Sequence, residues 1–254
     1  MNYVGVDIHK RYSVLVAVDE RGRELRRSRI NGNEAAGFAQ FFSSLEGPSK
    51  AVVEACWNWG RIHDLLQEID TVEEVVLAHP LKTRLIADAQ IKTDSLDAKA
   101  LATLLRGDLI ARAYVPTRRT RQRKEVLRQR LYWARLRTRI RNRIHALIDR
   151  QRELSMPQCS DLFGRKGLAA LHKLSLKEPD ATLLDEELTL LALIQEQIKA
   201  QEARIVEFNA KDETTLRLQS IPGMGKILAA VAAAEIDSVE RFSNPSKLGF
   251  GIWI

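Results

Sequence analysis

The sequence predicts a mixed α/β sheet with helices packed on it, followed by long helices. Three observations predict this. Short apolar runs with strand-like patterning alternate with helical stretches over roughly the first 80 residues. From about Arg119 the strand pattern stops and a helical period begins. Two apolar stripes at helical spacing then run through the second half.

Taken in order, Tyr3–Asp7 alternates, with Val4 and Val6 on one face and Gly5 and Asp7 on the other. Ser13–Val18 (SVLVAV) suits a buried strand, Asp19–Gly22 a turn, and Glu24–Ile30 a third strand. The connections are short, so these three form an antiparallel meander. Glu34–Leu45 reads as a helix with Asn33 as its N-cap, stopped by Gly47-Pro48. Lys50–Cys56 is a fourth strand, Gly60–Ile69 a helix and Glu73–Ala78 a fifth strand. Helix–strand alternation after Asn33 implies parallel strands.

In the second half, Trp133, Leu136, Ile140, Ile144 and Leu147 make one apolar stripe, with arginines on the other faces. A loop follows around Met156–Gly167. Leu183–Phe208 is a long helix in which Leu184, Leu191, Ile198 and Ile205 recur every seven residues, flanked by Leu188, Ile194 and Phe208 and interrupted by Gln195 and Gln201. This is a coiled-coil-like seam, and it serves equally a helix packed within one chain or a dimer. Ser220–Gly225 (SIPGMG) is a tight turn before an Ala-rich helix, Lys226–Glu235. That pattern resembles a helix-hairpin-helix, in which glycines bring backbone N–H groups and a helix N-terminus to a phosphate.

The 254 residues suffice for one large domain or two smaller ones, and 45% are hydrophobic, enough for a real core. No apolar run reaches the length of a membrane span, and MNYVGVDIHK reads as a strand, not a signal peptide. Cys56 and Cys159 have no metal-ligand spacing, so a reduced, cytoplasmic setting is expected. The net charge is +7, and its location is informative. Between Arg118 and Arg152 stand fourteen bases and only two acids, Glu125 and Asp149, a local +12 that leaves −5 for the rest of the chain. A solvated helix face is the plain reading. Mutual repulsion along such a helix favours a nucleic-acid partner, whose phosphates relieve it. Candidate contacts are Arg118, Arg119, Arg121, Arg123, Lys124, Arg128, Arg135, Arg139 and Arg143, with Lys92 apart from them.

Four carboxylates stand out. Asp7 ends the first strand, Glu54 follows Val52-Val53 in the fourth, and Asp94 and Asp97 open a helix in IKTDSLDAKALATLLRGDL. Residues three apart share a helix face, with Cβ atoms about 5–6 Å apart. If strands one and four are neighbours, Asp7 and Glu54 face each other and the Asp94–Asp97 helix crosses beneath them. Each acid has a structural reading: Asp7 begins a turn, Glu54 faces water, and Asp94 with Asp97 caps a helix. Together, tightly packed carboxylates need cations. Hard oxygen donors suit Mg2+ or Mn2+, and paired ions of this kind stabilise the attacking and leaving oxygens of a phosphodiester. His9, Lys10, Trp57 and Trp59 lie beside these acids in sequence.

The motifs YVGVDIHK (Tyr3–Lys10), VVEACWNWG (Val52–Gly60), AHPLKTRLIADAQIKTDSLDAKALATLL (Ala78–Leu105), IPGMGKILAAVAAAEI (Ile221–Ile236) and RFSNPSKL (Arg241–Leu248) together resemble the DEDD-type insertion-sequence transposases, the group with a RuvC-like catalytic domain. The resemblance spans nearly the whole chain. It implies a RuvC-like, ribonuclease-H-type domain over residues 1–115. A basic, coiled-coil-like helical segment over 116–212 and a partial C-terminal transposase domain over 213–254 follow. It maps an acidic, magnesium-holding tetrad onto Asp7, Glu54, Asp94 and Asp97. It also implies element DNA as substrate, a structured bridging RNA as guide, and a homo-oligomer formed through the helical segment.

One departure is visible. Family members continue past the RFSxxxKL stretch into a region carrying a proposed serine nucleophile. Leu248–Ile254 does not resemble that continuation, and none of Ser220, Ser238, Ser243 and Ser246 matches the nucleophile. A frameshift or premature stop would produce such an ending, so loss of full strand exchange is expected. The sequence is open to two other functions. One is a non-catalytic nucleic-acid binder, such as a repressor-like remnant. The other is an actin-like kinase, whose first hairpin usually has Gly or Thr where this chain has His9 and Lys10.

Overall fold

The computed structural model describes residues 1–86, 94–151, 159–244 and 247, and only the backbone of 84–86 and 94–96. The chain forms two compact units, Met1–Val115 and Pro116–Ile254.

The first unit is built on a five-stranded sheet of β1 (Asn2–Ile8), β2 (Tyr12–Val18), β3 (Glu24–Asn31), β4 (Ser49–Glu54) and β5 (Val72–Ala78), in the order β3-β2-β1-β4-β5. The expected meander is present: β1–β2 and β2–β3 are antiparallel. The expected parallel pairs are β1–β4 and β4–β5. One face carries Val4, Val6, Leu15, Ile30, Ala51 and Val53, buried beneath Phe38 and Phe42 of α1 (Ala35–Ser43) and Ile62 and Leu66 of α2 (Trp59–Gln67). Helix α3 spans Pro80–Ile86. The opposite face carries Val14, Val16, Val18 and Val52, packed against Ala98, Leu101, Ala102, Leu104 and Leu105 of α4 (Asp94–Arg106). Period-two alternation thus divides each strand between two cores.

α4 approaches β1 closely at Gly5. A Cβ there would sit 1.9 Å from the Ala98 carbonyl oxygen and 2.7 Å from the Ala102 nitrogen. Glycine in the strand and two fully buried alanines in the helix let backbone meet backbone.

Asn33 does not cap α1. The N-cap position falls on Glu34, with no side-chain cap hydrogen bond. Asn33 adopts φ 52°, accepts a 2.7 Å hydrogen bond from Ser13 Oγ and donates one of 2.9 Å to the His9 carbonyl. Its amide braces the β1–β2 connection, and asparagine tolerates the left-handed conformation this requires.

The second unit is helical. α5 (Arg118–Asp149) begins at Thr117, whose hydroxyl accepts from the Thr120 N–H. α6 (Arg165–Leu171) starts inside the stretch expected to be loop. α7 (Asp180–Asn209), α8 (Glu213–Gln219) and α9 (Lys226–Ile236) follow, then a 3-10 turn at Val239–Arg241. The stripe of α5 packs on the seam of α7: Ile140, Ile144 and Ile148 are buried with Leu184, Leu188, Leu191, Ile194 and Ile198, and Trp133 and Leu136 pack alongside. The heptad seam is therefore filled within one chain. Phe208, expected to flank it, is exposed. No described helix is long and apolar enough to cross a membrane.

Gly5→Ala drives a methyl group into rigid helix backbone. We expect it to destabilise the first unit by at least about 3 kcal/mol in urea unfolding, the upper end for overpacking. Gly47→Ala, with φ 78° but nothing within 4 Å of the added carbon, costs only about 1 kcal/mol of backbone strain.

Candidate active site and nucleic-acid interface

β1 pairs with β4 so that Val6 lies opposite Val53. One step on, this register brings Asp7 level with Glu54 at the carboxyl ends of two adjacent parallel strands. Both follow the alternation of Gly5 and Val52, so both belong to the face covered by α4. Strand ends of this kind are where α/β sheets build sites. Asp97 lies in the first turn of α4, one residue before the Ala98 that meets Gly5, and is exposed. The backbone of Asp94 opens α4, while its side chain and the whole of Lys92 lie outside the described residues. Among the described side chains, no three His, Cys, Asp or Glu groups are placed to hold a metal ion. The donor set on this face, all carboxylate oxygen, is chemically suited to a hard divalent cation.

Asp7 is held from one side. His9 Nε2 lies 2.9 Å from its Oδ2. The His9 ring stacks on Tyr12, with centroids 4.5 Å apart and planes 25° apart. The Arg29 guanidinium carbon sits 3.6 Å from the Tyr12 centroid. The His9 backbone N–H donates to the Tyr12 carbonyl at 2.9 Å. Sequence reading singled out His9 as an adjacent base but missed Tyr12 and Arg29. Only the strand register brings them together, pairing Asp7 with Val14 and Val14 with Arg29.

In the second unit the basic helix has two faces. Four ion pairs run in antiparallel order along it: Arg123–Asp212 at 2.7 Å, Arg130–Glu202 at 2.7 Å, Arg143–Glu187, and Arg150–Asp180 at 3.8 Å. Lys124 pairs with Glu235 at 2.8 Å. Of the bases expected to meet nucleic acid, Arg123, Lys124 and Arg143 are thus engaged by carboxylates of their own unit, and Arg123 is only 8% exposed. On the outer face Arg121, Arg128, Tyr132, Arg135 and Arg139 follow one another at spacings of seven, four, three and four, a single helical stripe. Tyr132 is 55% exposed there. Arg128 meets Glu125 in an exposed pair of little energetic weight. Arg119, Arg135 and Arg139 are exposed and have no carboxylate partner among the described residues.

The inner face carries more charge than it neutralises. Arg141 lies over the Phe163 ring. Burial, and then the neighbouring Arg141 and Arg130, pull the Arg137 guanidinium below its ordinary value. Asp212 shows the converse balance. Burial works to raise its carboxyl, but hydrogen bonds from Arg123 and Thr215 outweigh it, and the group sits below the usual carboxylate range.

The turn at Ser220–Gly225 is largely exposed, with Gly223 at φ 85° and Gly225 at the N-cap of α9. No side chain crowds either glycine.

The strand order and the helix-covered acidic face define an α/β unit of the RuvC-like, ribonuclease-H type, followed in the chain by a basic helical unit. Residues 4–152 match the family model of DEDD transposases of the IS110 type, described as a transposase. Residues 216–249 match a second model, described as transposase of the IS116/IS110/IS902 family. No curated protein matches the chain. The first match covers more than half of the sequence. The chain belongs to the IS110 family of DEDD transposases, enzymes that act on insertion-sequence DNA.

A carboxyl held below its unfolded value stabilises the fold above that value, about pH 3.9, and ceases to as pH falls through the folded value. The helical unit should therefore lose stability below about pH 4 in step with protonation of Asp212. Asp212→Asn, which leaves Arg123 buried and unpaired, should cost about 3 kcal/mol at neutral pH. It should also show a shallower acid limb in denaturant melts run from pH 7 to pH 2.

Proposed function

We propose that this chain is a metal-dependent transposase acting on DNA phosphodiesters, with Asp7, Glu54, Asp94 and Asp97 as the acidic set that holds Mg2+ or Mn2+. The observation that carries the proposal is the β1–β4 register, which sets Asp7 beside Glu54 on the face that α4 covers. The helix that carries Asp94 and Asp97 is seated on that same face by Gly5. A divalent cation bound there would supply electrostatic stabilisation of the attacking and leaving oxygens.

The chain's own residues have the remaining tasks. Asp7 and Glu54, on rigid strand ends, fix the position of the acidic cluster relative to the sheet. His9 orients the Asp7 carboxylate through Oδ2. Arg119, Arg128, Arg135 and Arg139, with Tyr132 among them, offer phosphate contacts and one stacking surface on α5. The Ser220–Gly225 turn offers backbone N–H groups to a further phosphate.

A structured RNA is the proposed guide, bound through the same arginine stripe. Leu190 and Leu193 project from the outer face of α7 at 46% and 52% exposure, and a homo-oligomer in the cytoplasm would bury them. A second reading, a binder without catalysis, rests on the exposure of Asp97 and needs only the arginine stripe.

The two readings separate in a cleavage assay on element-end DNA run with and without added Mg2+. Asp7→Asn and Asp97→Asn should each lower the rate at least about a hundredfold, as expected when electrostatic stabilisation at the reacting phosphate is lost. Both should keep nucleic-acid affinity. Wild-type rates in both variants, or no metal-dependent processing by the parent chain, favour the binder.

A further inference from the structure

We propose that Arg29, propped on Tyr12, is a phosphate-binding residue that positions the nucleic-acid strand running across the sheet into the acidic site. This rests on the acidic-site reading above, and adds to it a contact that none of the four carboxylates supplies.

The argument begins with register. Arg29 pairs with Val14, Val14 with Asp7, and the next position along that row is Glu54. Arg29, Val14, Asp7 and Glu54 therefore form one row across four strands, on the face covered by α4. Two strand spacings separate Arg29 from Asp7, about 10 Å between their Cα atoms. A guanidinium at that range reaches a phosphate neighbouring the one held at the acids, not the reacting phosphate itself.

β3 is an edge strand, and with the register shift opposite Ala17 and Val18 its α4-side positions are Glu24, Arg27 and Arg29. The three arginines of this strand differ in what they meet. Arg27 is bound to Glu24 at 2.8 Å. Arg26 belongs to the other face of the strand, with Ser28 and Ile30. Arg29 is exposed and has no carboxylate partner among the described residues. It lies against the Tyr12 ring, its guanidinium carbon 3.6 Å from the centroid. A guanidinium over an aromatic face is held by its π surface, while its N–H groups, all in the plane, point outward. That is the geometry for bidentate capture of a phosphate.

The prop is itself fixed. Tyr12 stacks on His9, His9 is bonded to Asp7, and Asn33 and Ser13 brace the backbone beneath. The column Asp7–His9–Tyr12–Arg29 thus couples the acidic carboxylate to a cation at the sheet edge. A strand laid along it would place one phosphate on Arg29 and present the next to Asp7 and Glu54.

The test is the salt dependence of binding, measured by fluorescence anisotropy of the full chain with a labelled element-end oligonucleotide in EDTA. Loss of one phosphate contact lowers the slope of log K against log salt by about 0.9 for duplex or about 0.7 for single strand. Arg29→Gln should show that loss, and Tyr12→Leu should match it. The double variant should lose no more than either, and Tyr12→Phe should retain the parent slope. Arg26→Gln, on the opposite face, should leave the slope unchanged. A parental slope in Arg29→Gln, or an equal drop in Arg26→Gln, overturns the proposal. Arg29 is exposed on an edge strand, so Arg29→Gln should keep the parent melt in circular dichroism, and its slope carries the decision. Because metal is absent, the outcome is independent of whether Asp7→Asn abolishes cleavage.

Discussion

The first unit depends on one close approach, the seating of α4 on β1 at Gly5. Any side chain at that position would collide with the Ala98 carbonyl. A helix held at backbone contact cannot slide or roll without opening a gap that its small neighbours, Ala98 and Ala102, are unable to fill. Everything on that face inherits this precision. Asp97 is fixed because Ala98 is fixed, and the relation of α4 to the ends of β1 and β4 follows from it. A glycine with no reactive atom thus fixes where the acid-bearing turn of α4 lies relative to the ends of β1 and β4.

The second unit solves a different problem, how to fold a helix that carries an extreme excess of arginine. The solution is directional. Carboxylates from α7 and beyond take up Arg123, Arg130, Arg143 and Arg150 in antiparallel order, which sets the register of the α5–α7 pair. The neutralisation is incomplete at Arg137, level by that register with the stretch of α7 where Gln195 interrupts the heptads, and the fold tolerates a cation disfavoured by its surroundings. On the opposite face the surplus is left open to solvent, where a polyanion can reach it. One helix thus divides its arginines between ion pairs within its unit and open solvent.

Much of this was legible in the sequence. Alternation at Tyr3–Asp7 and the apolar runs at Ser13–Val18 and Lys50–Cys56 gave the strands, and short connections gave the direction of the first three. Helical spacing of Ile140, Ile144 and Leu147, and the heptads of Leu184, Leu191 and Ile198, marked the faces that meet. The illegible part is long-range. Asn33 reads as a helix cap because asparagine caps helices, yet its amide is drawn to Ser13 and His9, twenty and twenty-four residues away. Arg123 reads as one more exposed base because nothing local signals Asp212. The row from Arg29 to Glu54 exists only once four strands are in register, and no periodicity in one strand encodes its neighbour's alignment. The four acids stand out in the sequence by their position at strand and helix ends. Asp7 and Glu54 are neighbours by register, whereas the side chain of Asp94 lies outside the described residues.

The central claim is that carboxylates from two strands and one helix act as a single cation site. Mn2+ titration of the whole chain, followed by electron paramagnetic resonance, measures this most directly. The account predicts stoichiometric binding that weakens at least about tenfold in Glu54→Gln, since even the loss of a supporting group costs that much at a metal centre. Equal Mn2+ affinity in the parent chain and in Glu54→Gln would contradict it.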